Sequence, residues 1–333
     1  MNLNLKDEFK PIPDSSNWYE RYGDRKIEIN SSLDKTPQTS IFFRSDSTSP
    51  TPLLISLHTW TNTAIGQDST SRLNWCRRNK WNFIQPDYRG ENKKPAAMGS
   101  ELAVQDVVDA VNYAKAHASV DSDRIYVVGA SGGGHMALLL AGRHPEIWAG
   151  VSAWCPISDI KAWYYFLSPR KSGYAQDIIQ CAGGNPDSDP QALAACVKRS
   201  PVTYLANSTG VNLDIATGIH DGHTGSVPVS HAFNAFNAVA TPLDIIVKTD
   251  IDSICLNRAV PEHMKSRWDD KTYTREILYR KISGNSRLTI FEGGHEEVES
   301  ASLSWLSQQH RNRPAVWSIP LMDSSVGTVQ VLK

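Results

Sequence analysis

The stretch Arg124-Ile125-Tyr126-Val127-Val128-Gly129-Ala130-Ser131-Gly132-Gly133-Gly134-His135-Met136-Ala137-Leu138 decides the reading of this chain. Arg124–Val128 is rich in β-branched and aromatic residues, as strands are. Gly133–Arg143 reads as a helix. Between them, Gly129-Ala130-Ser131-Gly132-Gly133 fits G-x-S-x-G. A strand that enters such a turn, and a helix that leaves it, set a serine on a sharp corner with its hydroxyl clear of the backbone. Small neighbours are needed there, because the corner forces strained φ/ψ. The helix start aims free N–H groups and partial positive charge at the same point. The alternative is a glycine-rich phosphate loop. It lacks the closing Lys-Ser/Thr pair, and its glycines follow the serine instead of preceding it.

A serine hydroxyl needs a base to become a nucleophile. Of ten histidines, His295 lies in Phe291-Glu292-Gly293-Gly294-His295-Glu296, between a strand-like run and a helix-like run. His220, His223, His231 and His263 are the competitors. An orienting acid is sought on a loop between serine and histidine in chain order. Asp221 follows the run Leu213–Thr217 in a Gly-framed turn. Asp214 lies inside that run, and Asp250 and Asp252 follow another apolar run, Leu243–Val247. An oxyanion needs two donors. Gly132 offers one amide. Trp60, just past the apolar run Leu53–His58, offers the second.

Outward from this stretch, strands and helices alternate, which implies an α/β protein with a mostly parallel sheet. Strand-like runs are Lys26–Asn30, Thr39–Arg44, Leu53–His58, Trp81–Gln85, Arg124–Val128, Trp148–Trp154, Leu213–Thr217 and Arg287–Phe291. The first three follow each other without helices, so antiparallel strands are expected at the start. Helices are expected over 69–79, 101–118, 133–143, 230–239 and 297–309. Val104, Val107, Val108, Val111 and Ala114 form the buried stripe of the second. Two stretches break the alternation, 155–207 and 249–283, and read as insertions that roof a site. Residues 1–23, with Pro11, Pro13 and a Trp18-Tyr19 anchor, read as an arm, and 311–333 as an extended tail. The chain between, 24–310, reads as one domain.

The composition fits a globular chain of 333 residues with 40% hydrophobic and 21% charged residues. Lys plus Arg is 34 and Asp plus Glu is 35. That balance argues against nucleic acid as a partner. No apolar run is long enough to span a membrane. Met1–Pro11 is polar and charged, unlike a signal peptide. A cytoplasmic protein and a secreted one whose signal was removed both stay open, as does the oligomeric state. Five cysteines lack a C-x-x-C pattern, and no H-E-x-x-H occurs, so neither a metal nor another cofactor is expected. Cys181 and Cys196 flank one loop, either as a disulfide or as two buried thiols. Ten tryptophans are many for this length. Trp154, Trp163 and Tyr164, with Trp60 and Tyr165, are candidates to stack a sugar or aryl group, or else they pack the insertion.

Together these residues resemble the α/β-hydrolase superfamily, and within it the prolyl-oligopeptidase-type branch, over roughly residues 52–309. Pro86-Asp87-Tyr88-Arg89-Gly90 is similar to the P-x-Y-R-G run of that branch. Gly218-Ile219-His220-Asp221 followed by Val227-Pro228 is similar to its acid loop, and Gly293-Gly294-His295 to its base. The resemblance implies an α/β-hydrolase fold: a mostly parallel central sheet with antiparallel N-terminal strands, helices on both faces and lid-like insertions. It implies a triad of Ser131, Asp221 and His295. Two departures stand out. Gly222–Ser226 lengthens the acid loop, and His58-Thr59-Trp60 replaces His-Gly-Gly. The segment before the hydrolase part is too short for a β-propeller, and relatives of this size are mostly esterases. The resemblance therefore favours a serine esterase, with a carbohydrate-linked ester as substrate. A peptidase on short peptides and a non-catalytic binding protein of the same fold are the alternatives.

Overall fold

A computed structural model describes residues 21–318 and 329–331. Alternating side chains build its centre. Leu53, Ile55 and Leu57 face one side of a sheet and Leu54 the other; Ile125 and Val127 oppose Tyr126 and Val128 in the same way. A strand with both faces apolar must be covered on both, and that requirement fixes the layered architecture. The strands are β1 (Lys26–Asn30), β2 (Pro37–Phe43), β3 (Thr51–Leu57), β4 (Asn82–Pro86), β5 (Val120–Ala130), β6 (Gly150–Trp154), β7 (Leu213–Gly218), β8 (Ile277–Ser283) and β9 (Ser286–Phe291). They form one sheet in the order β1-β2-β4-β3-β5-β6-β7-β9-β8. Neighbours from β4 through β9 in that order run parallel, while β1, β2 and β8 attach antiparallel. This is the α/β-hydrolase architecture.

Helices α1 (Thr70–Arg78), α2 (Glu101–His117), α3 (Gly132–Arg143) and α7 (Ser230–Asn237) cover the sheet with α9 (Glu299–Leu306). One face packs the valines of α2, the leucines of α3 and Phe233 and Phe236 of α7. The other packs Leu73 and Trp75 of α1 against Leu303 and Trp305 of α9. Helix α2 begins at Ser100, whose hydroxyl accepts the Ala103 N–H, a cap that satisfies one of the orphan donors.

The first insertion is helical: α4 (Ile160–Leu167), α5 (Gly173–Ala182) and α6 (Pro190–Lys198). These enclose a small apolar cluster of their own, which holds Trp163, Tyr164, Cys181 and Cys196 together with Trp60. Cys181 and Cys196 are free thiols. The second insertion is not a pure one. After α8 (Lys248–Asn257) it supplies β8, the antiparallel edge strand next to β9. Arg280 and Lys281 interrupt the apolar pattern of β8, as charges commonly do on edge strands. Leu243–Val247 is not a strand: Leu243 is 95% exposed, and the segment leads into α8.

The Trp18-Tyr19 anchor lies outside the described residues, but Tyr22 beside it is fully buried and donates to the Gln67 carbonyl at 2.5 Å. At the other end, Trp317 stacks on Trp305, and residues 329–331, here β11, pair antiparallel with β10 (Glu296–Val298). Among the described residues no helix is long and apolar enough to cross a membrane.

Candidate active site

Open α/β sheets bind ligands beyond the carboxyl ends of their parallel strands. Ser131 follows β5, Asp221 follows β7 and His295 follows β9, all at that end. Ser131 has φ 56° and ψ −119°, a conformation that costs a non-glycine residue free energy and is held by its surroundings. Its N–H donates to the Trp154 carbonyl at 2.8 Å, and its own carbonyl accepts from His135 at 2.9 Å. The corner is thus pinned to the end of β6 on one side and to α3 on the other.

Gly132 shows why the corner needs a small residue. A Cβ there would lie 2.6 Å from the backbone nitrogen of Trp60. The two chain segments therefore meet closely, bringing the two expected oxyanion donors side by side. Neither amide N–H has a partner among the described residues, so both are available as donors. The Trp60 loop is held firmly. Its carbonyl accepts from Asn92, its neighbour Thr59 donates to the Gln67 side chain, and its indole N–H donates to Asp177 at 3.1 Å. The Pro86–Gly90 run braces the same loop from below. Tyr88 stacks on His58 and donates to the His58 carbonyl at 2.6 Å, and Arg89 pairs with Asp34 and Asp106.

Asp221 and His295, the expected acid and base, are in direct contact. Asp221 Oδ2 lies 2.7 Å from His295 Nδ1, with the Asp221 side chain fully buried. Asp221 Oδ1 accepts from the Gly222 and Val227 amides, which aims the carboxylate. The longer acid loop is accommodated by Gly225: a Cβ there would come within 2.3 Å of Asp221 Oδ1 and 2.5 Å of His295 Cβ. Burial is the largest influence and disfavours the charged imidazole, but Asp221 and Cys155 together favour it more, and the net effect raises the His295 pKa above its ordinary value. With Nδ1 engaged, Nε2 is the nitrogen left to take a proton.

The competing residues are occupied elsewhere. His220 pairs with Glu292, His223 meets the Cys255 carbonyl, His231 contacts Ser158, and His263 pairs with Asp250. Asp214 is buried against Arg287, and Asp252 pairs with Lys248.

The aromatic candidates do not form a cleft. Trp154 is fully buried under the sheet beside Tyr273 and Phe291. Trp163 is 1% exposed, donates to the Ser226 carbonyl and packs edge-on against Trp60. Tyr164 is equally buried and its hydroxyl meets Asn185 and Asp187. Only Tyr165 of the group is exposed. Aromatic content alone cannot separate a stacking platform from the core of an insertion.

One neighbour of the base carries no motif. Cys155, directly after β6, places its Sγ within 4.8 Å of a His295 ring nitrogen and an Asp221 oxygen. Burial, and then the Asp221 charge, raise its pKa and keep it a thiol. A lone cysteine after a strand gives no pattern to search for; only the fold brings it here.

The sequence profile of the prolyl oligopeptidase family matches residues 69–279. Among curated proteins, the chain is similar to poly(3-hydroxyalkanoate) depolymerase C of Paucimonas lemoignei, 26% identical over 113 residues, which are 30% of this chain and 27% of the relative. Among solved structures it is similar to a Mycobacterium tuberculosis puromycin-hydrolyzing peptidase, with TM-score 0.56 and 12% identity over 92% of this chain and 42% of that one. It is also similar to oligopeptidase B from Leishmania major, with TM-score 0.51 and 14% identity over 65% of this chain and 31% of that one. The chain thus spans less than half the length of these relatives.

Proposed function

The chain belongs to the prolyl oligopeptidase family, a serine-hydrolase branch of the α/β-hydrolases, and from that premise we propose that it hydrolyses carboxylic esters through an acyl-enzyme on Ser131. The observation that carries this reading is the 2.7 Å bond between Asp221 and His295 at the carboxyl end of the parallel strands, the end that Ser131 also occupies. His295 Nε2 takes the Ser131 proton as the hydroxyl attacks the ester carbonyl. Asp221 holds the ring and stabilises the imidazolium, and the Gly132 and Trp60 amides receive the oxyanion. His295 then returns the proton to the departing alcohol. Water, activated by the same histidine, releases the acyl group. No metal or other cofactor enters these steps.

An ester is preferred because the depolymerase is, by its name, a hydrolase of a polyester. No Arg or carboxylate pair in the sequence is identifiable as an anchor for a peptide terminus. The solved relatives favour a second reading, since both are peptidases by name. A saccharide as the alcohol loses the support of Trp154, Trp163 and Tyr164, which are core residues. Turnover of p-nitrophenyl acetate, feruloyl esters, methyl uronates and aminoacyl amides by the wild-type protein and by Ser131→Ala tests both readings. Esters should turn over fastest, and only with Ser131 present. An amide cleaved faster than every ester would replace the esterase reading by the peptidase one.

A further inference from the structure

Three metal-ligating side chains of different chemistry converge from three loops. Cys155 Sγ, an Asp221 carboxylate oxygen and a His295 ring nitrogen all lie within 4.8 Å of one another. Cys155 and Asp221 are each 1% exposed, and the His295 side chain 8%. Among the described residues no other group of three His, Cys, Asp or Glu side chains is arranged to share an ion. The position of Cys155 is specified by the fold. Its φ of 43° lies in the left-handed region, its N–H donates to the Ala216 carbonyl at 2.7 Å, and its thiol faces the Glu296 carbonyl at 3.3 Å. The ester mechanism leaves this thiol without a task.

We infer that Cys155, Asp221 and His295 form an inhibitory site for a thiophilic divalent cation, zinc or cadmium, which silences the hydrolase by occupying its base. The inhibition rests on the catalytic reading given above; the binding does not. One thiolate, one imidazole and one carboxylate are ligands zinc accepts, with water completing four-coordination. The sulfur selects against magnesium and calcium, which take oxygen ligands. On binding, the Cys155 S–H bond breaks, its proton passes to solvent and a metal–sulfur bond forms, with no change of oxidation state. Either ring nitrogen gives the same result. An ion on Nδ1 displaces the proton that Asp221 accepts, and an ion on Nε2 takes the lone pair that would receive the Ser131 proton.

The site is tested first without turnover. Ser131→Ala protein is titrated with cadmium while the ultraviolet charge-transfer band of a cadmium thiolate is followed, beside the double variant with Cys155→Ser. One equivalent should raise the band in the first protein, EDTA should abolish it, and the double variant should lack it. Cys255 is the remaining thiol that is not fully buried, so a Ser131→Ala protein with Cys255→Ser must keep the band. In parallel, zinc should inhibit ester turnover by the wild type, while magnesium does not. Cys155→Ser should lose zinc sensitivity by roughly tenfold or more, read as the ratio of each protein's own rate without and with zinc. Should that variant fail to fold, Cys155→Ala takes its place. A band that persists without Cys155, or no band at all, overturns the proposal, as does unchanged zinc inhibition in the variant. A band in a protein that hydrolyses no ester leaves the site standing and removes the catalytic reading instead.

Discussion

Ser131 occupies its strained corner whether or not its hydroxyl is present, because backbone bonds to Trp154 and from His135 hold it. Ser131→Ala should therefore abolish nearly all turnover and leave the thermal midpoint almost unchanged, as kinetics and a melting curve on the same sample will show. His295 must be neutral to act as base. The Asp221 carboxylate stabilises the charged ring, so more alkaline solution is needed to deprotonate it. The rate should rise with pH, with a midpoint above the ordinary value of about 6.5. Asp221→Asn removes that charge and should move the midpoint down. It should also cost a large factor in kcat, about 10⁴ in a serine protease that supplies the precedent. A pH–rate profile of both proteins checks the pair, and a midpoint that moves up in the variant would contradict the role given to Asp221. Gly225→Ala places a methyl against Asp221 Oδ1. It should lower kcat more than it raises KM, because the change acts on the acid–base pair.

At the scale of elements, the helical insertion supports the Trp60 loop. Trp163 packs on Trp60, and Asp177 of α5 receives the Trp60 indole N–H. Trp163→Ala should cost about 3–5 kcal/mol of stability, the range for a buried aromatic cut to alanine. It should slow turnover as the Trp60 amide loses its fixed position, and urea unfolding with kcat measured on the folded fraction separates the two effects. Elements were legible in the sequence where periodicity was strong. The parallel strands, with apolar residues on both faces, and the valine stripe of α2 stand out by pattern alone. Strand β8 did not, because Arg280 and Lys281 break its alternation at an edge. The run Leu243–Val247, apolar apart from Asp244, is not a strand: Leu243, Ile245 and Val247 are exposed and only Ile246 is buried. The three helices of the insertion were hidden by its Gly, Pro and aromatic content, which reads as loop.

For the whole molecule, the sheet order explains how residues distant in sequence come to the same end of the fold. Strands β5, β7 and β9 lie on one side of β3, separated only by β6, so the loops that carry residues 131, 221 and 295 all leave the same, carboxyl end of the sheet. Chain order and the small residues around each made these positions readable as the proposed triad, and the contact of Asp221 with His295 is the part the structure displays. The substrate platform was not readable, because Trp154, Trp163 and Tyr164 have the composition of a cleft and the burial of a core. Cys155 was invisible for the converse reason, since its chemistry exists only in the assembled fold. The central claim is that Ser131 is the nucleophile that His295 activates. Intact-protein and peptide mass spectrometry after reaction with a fluorophosphonate tests it most directly. One adduct per chain, on Ser131, absent from Ser131→Ala and strongly slowed in His295→Ala, is the predicted result. An adduct on any other serine, or a Ser131 adduct formed at full rate without His295, would contradict it.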